Sequence, residues 1–338
     1  MNVAVLGAGS WGTAMSRLLG IAGAEVSLWA RAREVAEGVN STRRNPRYLT
    51  DVLLPDTVTA TADVEEAVRE AKVVLLVTPS QAVRETVQAA ARYARDDAIF
   101  VSLAKGLEKD TLMRMTEVIA EVIGDEKRTA ALSGPNHAEE VSKGIPTTSV
   151  VAAYDQGVGR KLRSLFNTET FRVYTNPDVV GVELAGASKN VIALAAGMSD
   201  GLGFGDNTKA SIMTRGLAEM SRLGAAMGAS PLTYMGLAGM GDLIATCTSK
   251  HSRNRGLGEA IARGETPEEF YARTHMVAEG ATACISVDEL GRSVGCELPI
   301  THLVRSILYE GESCLAAVGV LMSRSTADEF DGIPPTSG

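Results

Sequence analysis

The chain has 338 residues, of which 45% are hydrophobic and 22% are charged, and its formal net charge at pH 7 is −8. The length predicts one large or two medium domains, and the composition is ordinary for a globular protein. The acidic balance argues against a general nucleic-acid or membrane-surface binder, because both of those surfaces are themselves negatively charged. The longest apolar runs are interrupted by Gly, Lys or Arg, so we expect no membrane span.

Cysteine usage and the two ends of the chain limit the setting of the protein. The four cysteines are widely spaced and form no CxxC pair; they are Cys247, Cys284, Cys296 and Cys314. This spacing argues against a zinc site or a disulfide framework, so we expect no bound metal and a reducing, cytoplasmic location. The first predicted strand begins at residue 2, which leaves no room for a signal or transit peptide. Residues 331–338 are predicted to be a disordered tail.

A glycine-rich turn near the start of the chain is the most informative motif, and it reads Gly7-Ala8-Gly9-Ser10-Trp11-Gly12. The apolar runs at 2–6 and 25–29 predict strands, and residues 13–20 between them predict a helix. In such a unit the first glycine makes a tight turn, the second lets the backbone approach a pyrophosphate, and the third lets helix and strand pack closely. We therefore expect a bound dinucleotide; a tight turn without a ligand is the alternative.

The end of the second predicted strand indicates which dinucleotide is bound. NAD sites usually have Asp or Glu there, which bonds the ribose 2′-hydroxyl, whereas an arginine accommodates a 2′-phosphate. This chain has Arg31 and Arg33 in that region and no acidic residue before Glu34. The pair favours NADPH over NADH. The alternative is that both arginines are solvated residues at the start of a helix.

Beyond residue 30, predicted helices and strands alternate. Helices are predicted at 33–41, 64–72, 82–93, 111–123 and 156–166, and strands at 58–61, 73–77, 98–103, 129–133, 148–152 and 171–174. This alternation predicts a mostly parallel sheet covered by helices on both faces, which is a Rossmann-type, doubly wound α/β fold. We assign it to residues 1–176 as the dinucleotide-binding domain.

The pattern changes at Pro177, where strand signals stop and long segments rich in Ala, Leu, Gly and Met follow with helical spacing. Helices are predicted at 178–198, 207–227, 253–263, 282–294 and 300–309. We therefore predict a second, all-α domain over residues 177–330, which carries the substrate and the catalytic groups.

Two stretches of the first domain lie where ligands bind in open α/β sheets, outside the carboxyl ends of strands. Lys105 directly follows a predicted strand and could hold an anionic substrate oxygen or the nicotinamide region; a surface lysine is the alternative. The run from Ser133 to Glu140 leads from a strand into a helix start, whose N–H groups would suit an anion or a substrate hydroxyl. A simple helix-initiating turn explains that run nearly as well.

In the second domain, Lys189 and Asn190 interrupt an otherwise apolar helix. A charged lysine on a buried face is costly unless it is paired, and burial would lower its pKa towards the working range of a general acid or base. Glu183 lies about 240° away around the helix and is an uncertain partner. An exposed position for Lys189 is the alternative.

Three further polar stretches follow in the second domain. Asp242 and Thr246 are four residues apart, so on a helix both would face the same side; helix N-capping by Asp242 is the alternative. The run Ser252-Arg253-Asn254-Arg255 places two guanidinium groups around an amide, and arginine forks suit phosphate geometry. The run from Met276 to Gly280 is a polar interruption before a helix, otherwise readable as an ordinary loop.

Together these stretches closely resemble the bacterial NAD(P)-dependent glycerol-3-phosphate dehydrogenase family, over essentially the whole chain. The matching stretches are the glycine-rich turn, Lys105-Gly106, Ser133-Gly134-Pro135 with Ala138, Lys189-Asn190, the run from Gly201 to Ala210, Gly241-Asp242-Leu243, Ser252-Arg253-Asn254 and Val277-x-Glu279-Gly280. Several motifs in this order are far more specific than any one of them.

The resemblance implies roles for individual residues, with Lys189 as the catalytic proton donor and acceptor. The cofactor would be lined by Ser10, Trp11, Arg31, Lys105, Ala138, Arg253, Val277 and Glu279, to which the turn and the second strand add Gly7, Gly9, Gly12 and Arg33. The substrate, a three-carbon phosphate, would be held by Lys105, Gly134, Asn136, Lys189, Asp242, Ser252, Arg253 and Asn254, with Asn190 and Thr246 as supporting polar groups. Asp242 would orient Lys189 or a substrate hydroxyl. At position 136 the family usually has Ser or Thr, so Asn136 departs from the pattern.

The reaction that this resemblance implies is the reversible transfer of a hydride between NAD(P)H and C2 of dihydroxyacetone phosphate, which gives sn-glycerol 3-phosphate for glycerophospholipid synthesis. An enzyme of the same architecture acting on a β-hydroxy acid is one alternative, in which the arginines would meet a carboxylate. A nucleotide-sensing binding protein is another, although a sensor does not need a titratable group such as Lys189. We expect no nucleic-acid partner, and a homodimer is the assembly we consider.

Overall fold

The computed structural model describes residues 1–274, 278–323 and 329, and the chain divides into two compact units. The first comprises Met1–Lys105 and Met113–Val179, and the second comprises Gly106–Leu112 and the chain from Val180 onward. The predicted division treats each domain as one continuous stretch, whereas Gly106–Leu112 belongs to the second unit, because Leu107 packs in its core with Leu184 and Leu223. The predicted disordered tail, 331–338, lies outside the described residues.

The first unit is built on one eight-stranded sheet with the strand order β3-β2-β1-β4-β5-β6-β7-β8. All neighbouring strands are parallel except β6 and β7. The strand order reverses direction between β1 and β4, which is the point where ligands bind in doubly wound sheets. The strands are β1 (Asn2–Leu6), β2 (Glu25–Trp29), β3 (Val58–Thr61), β4 (Val73–Leu76), β5 (Ile99–Ser102), β6 (Thr129–Ser133), β7 (Thr147–Ala153) and β8 (Phe171–Asn176).

Helices cover both faces of this sheet, as β1 illustrates. Val3 and Val5 lie in one hydrophobic core, while Ala4 and Leu6 lie in the other, so successive side chains are buried on opposite faces. The predicted doubly wound fold is therefore confirmed. The helices are α1 (Ser10–Ile21), α2 (Arg33–Thr42), α3 (Val64–Val68), α4 (Val83–Ala91), α5 (Met115–Ile123), α6 (Ala138–Val141) and α7 (Gln156–Phe166).

Helix α5 begins four residues later than the sequence predicts. Leu112 has a left-handed backbone with φ of 58°, which a helix does not allow. Arg114 then occupies the N-cap position, and the Glu117 side chain accepts a hydrogen bond from its backbone N–H. The start of α5 is therefore set by this capping contact rather than by the apolar periodicity, which extends further back.

The described part of the second unit is all-helical, as predicted. Its helices are α8 (Val179–Gly201), α9 (Asp206–Ala226), α10 (Pro231–Tyr234), α11 (Asp242–Thr248), α12 (Arg253–Ala262), α13 (Pro267–Thr274), α14 (Glu279–Ser293), α15 (Pro299–Tyr309) and α16 (Cys314–Ser323). No helix is predicted from the sequence at four of these positions, namely α10, α11, α13 and α16. Each has ten residues or fewer, so each shows few turns of periodicity.

Helix α8 is the one helix in the described part of the chain that is long and apolar enough to cross a membrane. Gly and Lys residues interrupt its sequence, as expected of the longest apolar runs, yet its mean hydropathy over 18 residues is high. However, 89% of its most apolar window is buried inside the protein, which is the pattern of a core helix. Because this helix is mostly buried, its charged and polar residues need buried partners, which makes them informative.

Candidate active site

The glycine-rich turn joins β1 to α1, and each of its glycines has a distinct environment. Gly7 has φ of +126°, and a Cβ there would lie 2.7 Å from the Val77 carbonyl oxygen. A Cβ on Gly12 would lie 1.7 Å from the Gly7 carbonyl oxygen, so the helix packs directly on the turn. A Cβ on Gly9 would meet no atom within 4 Å, so the backbone there faces open space at the start of α1. This arrangement fits a bound pyrophosphate.

A buried asparagine, which the sequence analysis did not single out, fixes this turn. Asn45 Nδ2 donates to the Ala8 carbonyl oxygen at 2.9 Å and to Thr13 Oγ1 at 2.8 Å. Its Oδ1 accepts the backbone N–H groups of Arg47 and Tyr48. The available signal was the Asn45-Pro46 dipeptide, because that pair favours a turn.

The remaining predicted cofactor residues of the first unit lie near the carboxyl ends of its strands. Ser10 and Trp11 form the first turn of α1, and Ala138 begins α6. Arg31 and Arg33 follow β2 and are exposed, and neither side chain makes an ion pair or hydrogen bond to a described residue. Two unpaired positive charges at this position suit a 2′-phosphate.

Lys105, Gly134 and Asn136 come together in the structure. Lys105 Nζ donates to the Gly134 carbonyl oxygen and to Asn136 Oδ1, both at 3.0 Å, and Asn136 Nδ2 donates to Ser149 Oγ at 3.0 Å. Gly134 has φ of +127°, and a Cβ there would lie 3.1 Å from Ser149 Cα. The amide of Asn136 thus takes part in the contact as acceptor and donor at once.

Lys189 lies in the middle of α8 and is only 5% exposed. Its Nζ donates to Asp242 Oδ1 at 2.7 Å and to Thr246 Oγ1 at 2.6 Å. Both partners project from α11, and Asp242 is 2% exposed. As predicted, Asp242 and Thr246 lie on the same side of their helix, and that side contacts the buried Lys189. The alternative of an exposed position for Lys189 is excluded.

The alternative role of Asp242 as a helix N-cap was wrong. Gly241 occupies the N-cap position of α11, and no side chain caps it. Asp242 follows a π-helical turn, Leu237–Gly241, that ends directly at α11. Single π-helical turns are frequent at functional sites. Here the residue that follows is the carboxylate bonded to Lys189.

The thiol beside this pair is chemically quiet. Cys247 follows Thr246 in α11 and is fully buried. Burial raises the pKa of the Cys247 thiol to about 12, although the nearby positive charge of Lys189 acts in the opposite direction. The thiol therefore stays protonated at neutral pH and is a packing group rather than a nucleophile.

Asn190 and Asn254 form a second buried contact. Asn254 Nδ2 donates to Asn190 Oδ1 at 2.9 Å, and Asn254 Oδ1 accepts the Gly280 backbone N–H at 2.9 Å. Ser252 caps α12, since its Oγ accepts the Arg255 backbone N–H at 3.2 Å. Three helices, α8, α12 and α14, therefore meet at one pair of side-chain amides.

The two arginines of the Ser252–Arg255 run differ. Arg255 Nε donates to Asp200 Oδ2 at 2.7 Å, so its charge is neutralised within the unit. Arg253 is exposed and makes no ion pair or side-chain hydrogen bond with the part of the chain that the structure describes. Of the pair, Arg253 is the one suited to an external anion.

The last predicted contacts fall at the start of α14. Glu279 is the first residue of that helix and is partly buried. Val277 lies outside the described residues. Across residues 1–274 and 278–323, no group of three or more His, Cys, Asp or Glu side chains could hold a metal ion.

A glycine turn at the start of a Rossmann-type sheet, together with a paired buried lysine in a helical unit, defines the class of NAD(P)-dependent dehydrogenases. Sequence profiles described as the N-terminus and C-terminus of NAD-dependent glycerol-3-phosphate dehydrogenase match residues 2–158 and 178–319. The chain belongs to this NAD-dependent glycerol-3-phosphate dehydrogenase family.

Individual relatives agree with this family. The chain is 49% identical over 334 residues to the NAD(P)+ glycerol-3-phosphate dehydrogenase of Pelotomaculum thermopropionicum, covering 98% of this chain and 96% of that one. It is 51% identical to the enzyme of the same name from Streptomyces griseus, with 97% and 98% covered. The resemblance read from the motifs is therefore confirmed.

Among solved structures, some resemble this chain in sequence and fold and others in fold alone. The glycerol-3-phosphate dehydrogenase of Coxiella burnetii has a TM-score of 0.91 at 35% identity, covering 96% of this chain and 99% of that one. A ketopantoate reductase from Ralstonia eutropha has a TM-score of 0.62 at 19% identity, covering 91% and 97%, and shares the fold alone. The alternative of a β-hydroxy-acid dehydrogenase is not favoured.

Proposed function

We propose that this chain catalyses the reversible reduction of dihydroxyacetone phosphate to sn-glycerol 3-phosphate with NAD(P)H, which supplies glycerophospholipid synthesis. The observation that carries the proposal is the buried Lys189 bonded to Asp242 and Thr246, in a chain of the glycerol-3-phosphate dehydrogenase family. A ketone reduction needs a proton donor at the carbonyl oxygen, and a positioned lysine is suited to that task.

The chemistry divides between the cofactor and the protein. When bound, the reduced nicotinamide supplies a hydride to C2 of the substrate. Hydride addition leaves negative charge on the C2 oxygen, and Lys189 Nζ gives that oxygen a proton. In the oxidising direction the same amine takes the proton back.

Asp242 and Thr246 hold the Lys189 amine in place. The Asp242 carboxylate balances the buried ammonium charge, which would otherwise be costly. The Thr246 hydroxyl has a single hydrogen and donates it to the Asp242 main-chain oxygen at 2.6 Å. The hydroxyl therefore presents a lone pair to Lys189, so both contacts accept hydrogen bonds from Nζ.

The substrate phosphate would be held by groups that offer charge or N–H donors. Arg253 supplies an exposed guanidinium, and Ser252, Asn254 and Asn190 are polar groups around the start of α12. Lys105, with Gly134 and Asn136 around it, would hold a substrate oxygen. Such contacts remote from C2 position the carbonyl for hydride transfer.

The cofactor would be held by the glycine-rich turn, Arg31, Arg33, Ala138, Glu279 and Val277. The open space above Gly9 supports the pyrophosphate position, and the two unpaired arginines support NADPH as the preferred cofactor. A cytoplasmic location, the division into domains at residue 177 and assembly as a homodimer remain predictions of the same proposal.

One assay tests reaction class, substrate and cofactor together. The purified chain is mixed with NADPH or NADH and dihydroxyacetone phosphate, and the absorbance of the reduced nicotinamide is followed. We expect substrate-dependent oxidation, faster with NADPH at low cofactor concentration. A β-keto acid is the control substrate and is expected to be inert. Oxidation of NADPH with the keto acid but not with dihydroxyacetone phosphate would contradict the proposed substrate. Binding of NADPH without turnover of either substrate would indicate a nucleotide sensor.

A further inference from the structure

Gly280, in the first turn of α14, sits where no other residue fits. Its backbone N–H donates to Asn254 Oδ1 at 2.9 Å. A Cβ at this position would lie 2.6 Å from the Asn190 carbonyl oxygen and 2.9 Å from Asn254 Oδ1. These are closer than real Cβ contacts come, so a side chain would push α14 away from the two asparagines.

The contact fixes the polarity of the Asn254 amide. A backbone N–H can only donate, so Asn254 must turn its oxygen towards Gly280 and its NH₂ group towards Asn190. Nδ2 uses one hydrogen on Asn190 Oδ1 and carries a second that no described residue accepts. In this orientation Asn254 can donate its second amide hydrogen to a ligand, while its oxygen is turned towards Gly280.

The other side of the contact is rigid for a separate reason. Helices α8 and α12 touch backbone to backbone, since a Cβ on Gly197 would lie 2.0 Å from the Arg255 carbonyl oxygen, and one on Gly258 would lie 2.1 Å from that of Leu194. The ion pair between Asp200 and Arg255 ties the same two helices. A change at Gly280 is therefore expected to move α14 and leave Asn190 and Asn254 together.

We propose that Gly280 is a positioning residue for the substrate, because its N–H locks Asn254 as a hydrogen-bond donor towards the substrate phosphate. The inference rests on the proposed function, which takes Asn254 as a substrate contact. A phosphate dianion offers only acceptors, so an amide oxygen turned towards it would repel it, whereas the locked NH₂ group attracts it. Gly280 thus acts through Asn254 and does not touch the substrate.

The first test compares two glycines of the same helix. Gly280→Ala is expected to raise the KM for dihydroxyacetone phosphate by about tenfold, the effect of one lost hydrogen bond to a ligand. Gly291→Ala is the matched control, since its Cβ would lie 2.6 Å from Leu298 Cδ1. It therefore strains the same helix, but at a position that does not contact Asn190 or Asn254. We expect that control to lower Tm and leave KM unchanged. Equal KM values for the two variants would overturn the proposal.

A double-mutant cycle separates positioning from general strain. In an Asn254→Ala background, Gly280→Ala is expected to raise KM by less than twofold, because its effect passes through the missing amide. A full, independent rise of about tenfold in that background would show that Gly280 acts in another way and would overturn the proposal.

Amide hydrogen exchange keeps the inference testable if Gly280→Ala does not fold. In Asn254→Ala, exchange of the Gly280 N–H is expected to be faster than in the unmodified chain, while the Gly291 N–H is unchanged. Equal exchange at Gly280 in both proteins would refute the bond on which the inference stands. If the unmodified chain reduces no dihydroxyacetone phosphate, the proposed function fails, and this exchange result still reports on the bond.

Discussion

The buried Lys189 is both an energetically unfavourable group of the candidate site and its proposed proton donor. An ammonium group inside an apolar helix is unfavourable unless charge and hydrogen bonds compensate it. Asp242 and Thr246 provide that compensation from α11, which lies more than fifty residues away in sequence. The sequence identified Lys189 because it interrupts an apolar pattern. Helical geometry could place only Glu183, which lies on the same helix, whereas the role expected for Asp242, orienting Lys189 or a substrate hydroxyl, came from the resemblance. The direct contacts of Lys189 with Asp242 and Thr246 are seen only in the structure.

Removal of the Lys189 amine is expected to affect catalysis rather than cofactor binding. Lys189→Ala should lower kcat by about 100- to 10,000-fold, the usual contribution of general acid–base catalysis, while the Kd for NADPH changes little. Steady-state kinetics and NADPH fluorescence titration measure the two effects. Lys250→Ala removes an exposed lysine of the same unit and should leave both values unchanged. Near-normal turnover in Lys189→Ala would exclude the assigned role.

At the scale of the element, the β1–turn–α1 unit was predictable because its signals are local. A strand, three spaced glycines and a helix follow one another within residues 2–21, and each glycine occupies a backbone position with its own requirement. By contrast, the start of α5 depends on a cap at Arg114 and on the left-handed backbone of Leu112, and neither feature changes the hydrophobic periodicity of the sequence. The short helix α11 was treated only as one option, since seven residues give two turns.

The glycines of the turn should separate ligand binding from folding. Gly9→Ala adds a Cβ into space that holds no protein atom, so we expect the Tm of the ligand-free protein to stay the same. The rise in Tm caused by NADPH, which corresponds to about 2.7 kcal/mol at a hundredfold excess over Kd, should be largely lost. Thermal unfolding with and without NADPH measures both quantities.

Gly12→Ala is the contrasting variant in the same turn. Its Cβ would collide with the Gly7 carbonyl oxygen, so the ligand-free protein should itself lose about 2–4 kcal/mol of stability. A Gly9→Ala protein that keeps the full NADPH-induced rise in Tm would contradict the position we assign to the pyrophosphate.

At the scale of the whole molecule, a buried carboxyl group is expected to make stability depend on pH. Glu219 of α9 accepts the backbone N–H of Ile300 at 2.6 Å and that of Thr301 at 3.3 Å, at the start of α15. Burial raises the pKa of Glu219 from its ordinary 4.5 to about 7, and these bonds and the charge of Arg222 offset only part of that effect. The folded protein therefore keeps a proton there that the unfolded chain releases.

The sign of the pH dependence follows from proton binding. Between pH 4.5 and about 7 the folded state binds more protons at Glu219 than the unfolded state, so stability falls as pH rises through this window. The loss reaches about 3 kcal/mol at most. Urea unfolding at pH 5 and pH 7.5 should show that Glu219→Gln lacks this contribution, whereas the exposed Glu37→Gln retains it. Parallel behaviour of Glu219→Gln and the unmodified chain would refute the shift.

The sequence by itself determined the fold class, the glycine-rich turn and Lys189 as the candidate catalytic residue, because each depends on short-range patterns of apolar, glycine and charged residues. Only the tertiary structure decided which groups meet. It paired Lys189 with Asp242, set Asn45 beneath the glycine turn, neutralised Arg255 with Asp200 and placed Gly280 against Asn254. These contacts join residues from different elements. Their distances depend on how helices and strands pack, and the spacing of residues within one element does not determine that packing.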